Sequence, residues 1–136
     1  MENKNNSVQN NKFSFLIVED DISNQNLLEL ILRKNYNCNI TNANDGIEAM
    51  DFFNANPNFD IVFMDLRLPA MNGYEAFNKM KEINKNLKII AITAYAQPED
   101  RLKILNYGFD AYVSKPINIP ELVSIANYML NLTNQM

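Results

Sequence analysis

Five apolar runs of strand length alternate along this chain with five stretches of helical spacing, and that alternation limits the fold more than any single motif does. The runs are residues 13–18, 38–41, 61–64, 87–92 and 109–114. Ile61-Val62-Phe63-Met64 has the length and the β-branched or aromatic character of a strand buried on both faces. Cys38-Asn39-Ile40-Thr41 is short and polar enough for a sheet edge. Between the runs, Leu27, Leu28, Ile31 and Leu32 recur at helical spacing behind a cap at Asp21 or Ser23. Asn44-Asp45-Gly46 opens a second helix carrying Ile47, Met50 and Phe53, and Tyr74, Phe77, Met80 and Ile83 mark a third. A fourth, opened by Gln97-Pro98-Glu99-Asp100 and stopped by Gly108, is only moderately apolar. With Leu102, Leu105 and Tyr107 inward, it is a candidate for exposure or movement. Asn118 and Glu121 flank the start of a fifth, with Leu122, Ile125, Ala126 and Met129. Alternation without an internal linker or repeat gives one α/β domain, a doubly wound parallel sheet with helices on both faces.

Composition narrows the functions such a sheet could serve. A chain of 136 residues, 47% of them hydrophobic, can bury a core without covalent staples. Its single cysteine, Cys38, excludes an intramolecular disulfide and, with nothing basic beside it, reads as structural. Residues 1–12 are polar and Asn-rich without periodicity, so a disordered leader is expected there, with the domain at 13–133 and a tail at 134–136. No apolar stretch approaches membrane-spanning length and the leader lacks a signal peptide's apolar segment, which points to a cytoplasmic protein with no membrane partner. Twelve Lys and Arg against 16 Asp and Glu give a net charge of −4, which argues against direct nucleic-acid contact. The absence of histidine excludes His-based acid–base catalysis and His metal sites.

A parallel sheet delivers the carboxyl end of every strand to one edge, where ligands of open α/β sheets usually sit. The first run ends in Glu19-Asp20-Asp21, the central run in Asp65, the fourth in Thr93 and the fifth in Lys115-Pro116. These groups should converge. Three carboxylates in one pocket repel, each pair by roughly 4 kcal/mol at about 4 Å and an effective dielectric of about 20. A hard cation offsets that repulsion, and Mg²⁺ suits an all-oxygen pocket because it binds through few carboxylates plus water and phosphate oxygens. Mn²⁺ is the alternative. Asp65 can then act as a carboxylate nucleophile toward a phosphoryl group, with Lys115 supplying positive charge and Thr93 a hydroxyl donor.

These residues, in this order, resemble the receiver domain of two-component response regulators. The resemblance rests on LIVEDD at residues 16–21, MDLRLPAMNG at 64–73, AITA at 91–94 and AYVSKP at 111–116, and it covers 13 to roughly 132. Asn24-Gln25 and the phrase GYEAF are similar to receivers of hybrid histidine kinases. The resemblance implies a flavodoxin-like (βα)5 fold with strand order 2-1-3-4-5. It implies that Asp65 is the phosphoacceptor and that Glu19, Asp20, Asp65 and the backbone carbonyl of Arg67 carry Mg²⁺. Thr93 and Tyr112 resemble the family's switch pair, Lys115 its phosphate-contacting lysine, and the Lys115–Pro116 bond its usual cis peptide. Arg67 and Tyr95 occupy positions that set how long the phosphoryl group lasts, and this bulky, partly cationic pair is expected to slow its loss. Partners implied are a histidine kinase or a histidine-containing phosphotransfer protein as donor and a downstream protein target. That target would read the face of the fourth helix, fifth strand and fifth helix, with the chain a monomer or a phosphorylation-dependent dimer.

Two other functions share parts of this pattern. An aspartate-based phosphohydrolase would want a second acid two residues after the nucleophile, where Arg67 stands, so turnover of an external substrate is not expected. A flavin-binding module would want a Gly/Ser/Thr-rich phosphate loop after the first strand, where this chain has Glu19-Asp20-Asp21.

Overall fold

The apolar runs pair into a five-stranded sheet, in a computed structural model that describes residues 12–68, 71–94 and 97–132. The elements are β1 (Phe13–Val18), α1 (Ile22–Asn35), β2 (Cys38–Ala43), α2 (Gly46–Ala55), β3 (Ile61–Asp65), α3 (Gly73–Ile83), β4 (Lys88–Thr93), α4 (Pro98–Tyr107), β5 (Ala111–Ser114) and α5 (Ile119–Met129). All four strand pairs are parallel and the order is β2-β1-β3-β4-β5, the doubly wound order expected. The expected leader and tail fall on residues 1–11 and 133–136, outside the described residues.

Side-chain alternation along the strands divides the core in two. Leu16, Val18, Val62, Met64, Ile89 and Ala91 face α2, α3 and α4, where they meet Phe53, Met80 and Ile104. Phe15, Ile17, Ile61, Phe63, Ile90 and Ile92 face α1 and α5, where they meet Leu28, Leu32, Leu122 and Ala126. Every residue of β3 is buried, as a strand with helices on both sides requires. Each of α1, α2, α3 and α5 begins on an Asp or Asn whose side chain accepts the N–H three residues on. At α1 that residue is Asp21, and Ser23 lies inside the helix.

Several helical faces differ from those expected. Ile47 and Ile83 are half exposed, and Ala49 and Ala76 occupy the inward positions instead. A strict three-residue rhythm rotates by about 60° at each step, so the stripe from Tyr74 to Ile83 drifts off the sheet. In α4, Leu102 and Leu105 point outward and Ile104 is the buried residue. The inward stripe runs from Asp100 through Ile104 to Tyr107, at i, i+4 and i+7, and Leu102 lies on the opposite side. Tyr107 is 41% exposed but keeps its ring against Tyr74 and Phe77. The edge strand β2 is two residues longer than expected, and β5 starts two residues later. Phe109 packs in the core instead, and Asp110 bonds β4.

Candidate functional site

The strand registers bring the expected residues to one edge. Phe63 pairs with Ile17 and with Ile90, and Thr93 with Ser114, so β1, β3, β4 and β5 end side by side. Lys115 N–H donates to the Thr93 carbonyl at 2.8 Å, which carries the ammonium-bearing residue across the end of β4 toward β3. Gly73 lets α3 start against the end of β3. A Cβ there would lie 2.7 Å from the Asp65 carbonyl oxygen and 2.8 Å from Leu66 Cα.

At this edge one oxygen each of Glu19, Asp20 and Asp65 lies within 4.8 Å of the others. Glu19 and Asp65 are buried and Asp20 is exposed. The two buried carboxylates are held alike. Glu19 Oε2 accepts the Asp21 N–H at 3.1 Å, and Asp65 Oδ1 accepts the Arg67 N–H at 2.9 Å. Their other oxygens face Lys115 Nζ, at 3.0 Å for Glu19 Oε1 and 2.9 Å for Asp65 Oδ2. The Lys115–Asp65 contact is a directed hydrogen bond. Glu19 Oε1 is buried and off the line of such a bond, so its attraction to Lys115 is one of charge more than of direction.

Burial holds the Glu19 carboxyl above its ordinary range, against the pull of Lys115 and of the Asp21 N–H and with the help of the neighbouring Asp65 charge. Burial would lower Lys115, but the close contacts and charges of Asp65 and Glu19 outweigh it and raise the ammonium group above the usual lysine value. Lys115 therefore stays charged. An incompletely bonded buried carboxylate oxygen, two further carboxylates and no sulfur or imidazole donor form a set suited to a small hard cation.

Thr93 is fully buried at the end of β4, and Tyr112 is buried in β5 with the Arg101 guanidinium 5.4 Å from its ring centre. The Lys115–Pro116 peptide is cis, as the resemblance implies. Arg67 is exposed beside Asp65, along a cavity of about 220 Å³ shared with Tyr74, Asp100 and Lys103. Tyr95 lies outside the described residues. Cys38 is buried and burial pushes its thiol up, in keeping with a structural role. One residue of the site had not been singled out by chemistry. Gln25, buried on the inward stripe of α1, donates from Nε2 to the Glu19 carbonyl at 2.5 Å and to Asn44 Oδ1 at 2.7 Å.

Residues 15–127 match the response regulator receiver domain. The chain is 38% identical over 120 residues to hybrid signal transduction histidine kinase I of Dictyostelium discoideum, a match covering 82% of this chain and 7% of that protein. It is 32% identical over 130 residues to the peroxide stress-activated histidine kinase mak1 of Schizosaccharomyces pombe, covering 90% of this chain and 8% of that protein. The chain thus spans less than a tenth of the length of either kinase. Among solved structures, the receiver domain of a Pseudomonas aeruginosa PAO1 sensor histidine kinase, with a magnesium ion coordinated in its active site cleft, superposes with a TM-score of 0.78. That likeness carries 32% identity over 88% of this chain and 98% of that one.

Proposed function

Since the chain belongs to the response regulator receiver domain family, a signalling module of two-component systems, we propose that it accepts a phosphoryl group on Asp65. The donor is a phosphohistidine on a histidine kinase or a histidine-containing phosphotransfer protein. A carboxylate oxygen of Asp65 attacks phosphorus, a P–O bond forms, and the P–N bond breaks with its electron pair returning to the imidazole nitrogen. Supporting this is the shared position of Lys115 Nζ, 2.9 Å from Asp65 and 3.0 Å from Glu19, at the edge where three carboxylate oxygens meet.

Glu19, Asp20 and Asp65, with the Arg67 carbonyl, would hold Mg²⁺, or Mn²⁺ in its place. Bound there, the cation neutralises phosphoryl oxygens and lowers the cost of bringing an anion to an anionic pocket. Lys115 carries positive charge to the same oxygens, and the Thr93 hydroxyl donates to them. Phosphorylation adds roughly −1.5 to −2 charge. Lys115 and Thr93 move toward it, Tyr112 settles behind Thr93, and the α4–β5–α5 face shifts toward the conformation a downstream protein binds. Turnover of an external substrate has no place in this scheme. No helix among the described residues is long and apolar enough to cross a membrane.

The test is intact-mass analysis after treatment with a small phosphodonor. A hydroxylamine-sensitive phosphoryl adduct should form with Mg²⁺, fail to form without it and be absent in Asp65→Asn. An adduct of equal yield in Asp65→Asn would move the acceptor elsewhere. Arg67, with Tyr95, shields the acyl phosphate from water, so replacing both with alanine shortens its half-life. An unchanged half-life removes them from that role.

A further inference from the structure

The acidic edge needs more than the carboxylates themselves, because mutually repelling groups at the end of a strand splay apart unless their backbone is held. One of the holds on that backbone is made by Gln25. It occupies a buried position on the inward stripe of α1, beside Leu28, Ile31 and Leu32, where an apolar side chain would satisfy packing. A buried amide is costly unless it is bonded, and both N–H bonds of Nε2 are used, one on the Glu19 carbonyl and one on Asn44 Oδ1.

What lies beyond each acceptor is also fixed. Asp45 Oδ1 accepts the Glu48 N–H at 2.8 Å while Glu48 Oε1 accepts the Asn44 N–H at 2.6 Å, so two side chains hold the loop between β2 and α2 to the first turn of α2. On the other side, the Glu19 N–H donates to the Ala43 carbonyl at 3.0 Å, and the Asp21 N–H holds the Glu19 carboxylate. Glu19 is thereby gripped through its N–H, its carbonyl and its carboxylate, and the carbonyl grip is a side chain's.

We propose that Gln25 is a positioning residue: its amide ties the Glu19–Asp20 turn to the capped β2–α2 loop and so sets how tightly Glu19, Asp20 and Asp65 hold a divalent cation. The proposal rests on the assignment of that cluster as a metal site. Gln25 touches neither cation nor phosphoryl group and acts through the Glu19 backbone.

Titration with MgCl₂, followed by amide ¹H–¹⁵N shifts at residues 19–21 and 65–67, tests it in wild type, Gln25→Met and Asn44→Ala. Methionine keeps the length and suits the apolar stripe while removing both donors. Gln25→Met weakens Mg²⁺ binding about ten-fold or more, the usual consequence of losing a group that orients a ligand. Asn44→Ala, at an exposed position, gives a smaller loss in the same direction. Urea denaturation without Mg²⁺ supplies the readout for a merely structural role, which would lower stability and leave the dissociation constant of the folded protein unchanged. A wild type without saturable Mg²⁺ shifts refutes the metal site itself. A wild type that saturates, with variants that bind Mg²⁺ equally well, overturns the role of Gln25 alone, and if Gln25→Met does not fold, Asn44→Ala decides.

Discussion

At the amino edge of the sheet, Asp60 and Asp110 each accept the N–H of a neighbouring strand, whereas at the carboxyl edge Glu19 and Asp65 face one ammonium group with the exposed Asp20 beside them. Asp60 Oδ2 takes the Ser14 N–H at 2.8 Å and Asp110 Oδ2 takes the Ile89 N–H at 2.8 Å. The backbone N–H groups of the same two aspartates return to the Ser14 and Ile89 carbonyls, so each extends the ladder by one closed pair. The difference follows from the polarity of a parallel sheet. Strand starts leave N–H groups to be satisfied and carboxylates satisfy them, while strand ends leave carbonyls, which offer a carboxylate nothing. Acid at the amino edge completes the fold. At the carboxyl edge it is left with loop N–H groups and a cation, and is therefore available for chemistry.

The largest effect should come from removing that cation. Lys115→Met leaves Glu19 and Asp65 buried and facing each other, and should cost about 3 kcal/mol in Mg²⁺-free urea denaturation, with part restored by added Mg²⁺. The matched change at the other edge is Lys81→Met. Lys81 Nζ bonds the Leu87 carbonyl at 2.6 Å and stands 3.6 Å from Asp110, so its loss should cost about 1 kcal/mol and be indifferent to Mg²⁺. Equal costs for the two lysines would erase the contrast. Next in size is Asp110→Ala, which orphans the Ile89 N–H and should cost about 2 kcal/mol with or without Mg²⁺.

How far the sequence announced this depended on which contacts make each feature. The five strands and the meeting of Glu19, Asp20, Asp65 and Lys115 were legible because apolar runs are local and a parallel sheet brings their ends together by construction, while the strand order was legible only through the family resemblance. The inward face of α4 was not. Leu102 and Leu105 look like core residues by type, yet Ile104 is the one buried, because the path of α4 over the sheet selects a narrow stripe begun by a charged residue, Asp100. Gln25 was visible as part of a family phrase but its work was not, since both its acceptors, Glu19 O and Asn44 Oδ1, come from segments that approach it only through the fold. The bonds that Asp60 and Asp110 make to neighbouring strands were hidden for the same reason, Asp110 having been expected inside the fifth strand.

The amino edge also has an alkaline limit of its own. Tyr36, between α1 and β2, donates to Asn127 Oδ1 at 2.7 Å and packs its ring against Phe13 and Phe15. Burial pushes its phenol up to about 12. The folded form is the neutral one, so the stability Tyr36 contributes is complete below the unfolded value near 10 and is lost as pH rises through about 12. By pH 11 the loss should be on the order of 1 kcal/mol. Tyr36→Phe should flatten that part of the urea midpoint against pH, leaving the smaller slope from Tyr74 and Tyr112, whose phenols burial also raises. An undiminished slope in Tyr36→Phe would place the alkaline weakness elsewhere.

The smallest expected change separates the edges by sign. Asp20 is exposed, and one of its carboxylate oxygens lies within 4.8 Å of a carboxylate oxygen of Glu19 and of Asp65. In Mg²⁺-free buffer Asp20→Asn removes one of three repelling charges and should stabilise the fold by about 0.5 kcal/mol, since solvent screens most of the repulsion at an exposed site. With saturating Mg²⁺ the order should reverse, because the wild type gains binding energy that the variant, one carboxylate poorer, largely forgoes. Asp60→Asn, matched in charge at the other edge, keeps an acceptor for the Ser14 N–H and should change little in either buffer. A destabilised Asp20→Asn in the absence of metal would mean that Asp20 is consumed by the fold as Asp60 is, and that crowding at the carboxyl edge carries no cost for a cation to relieve.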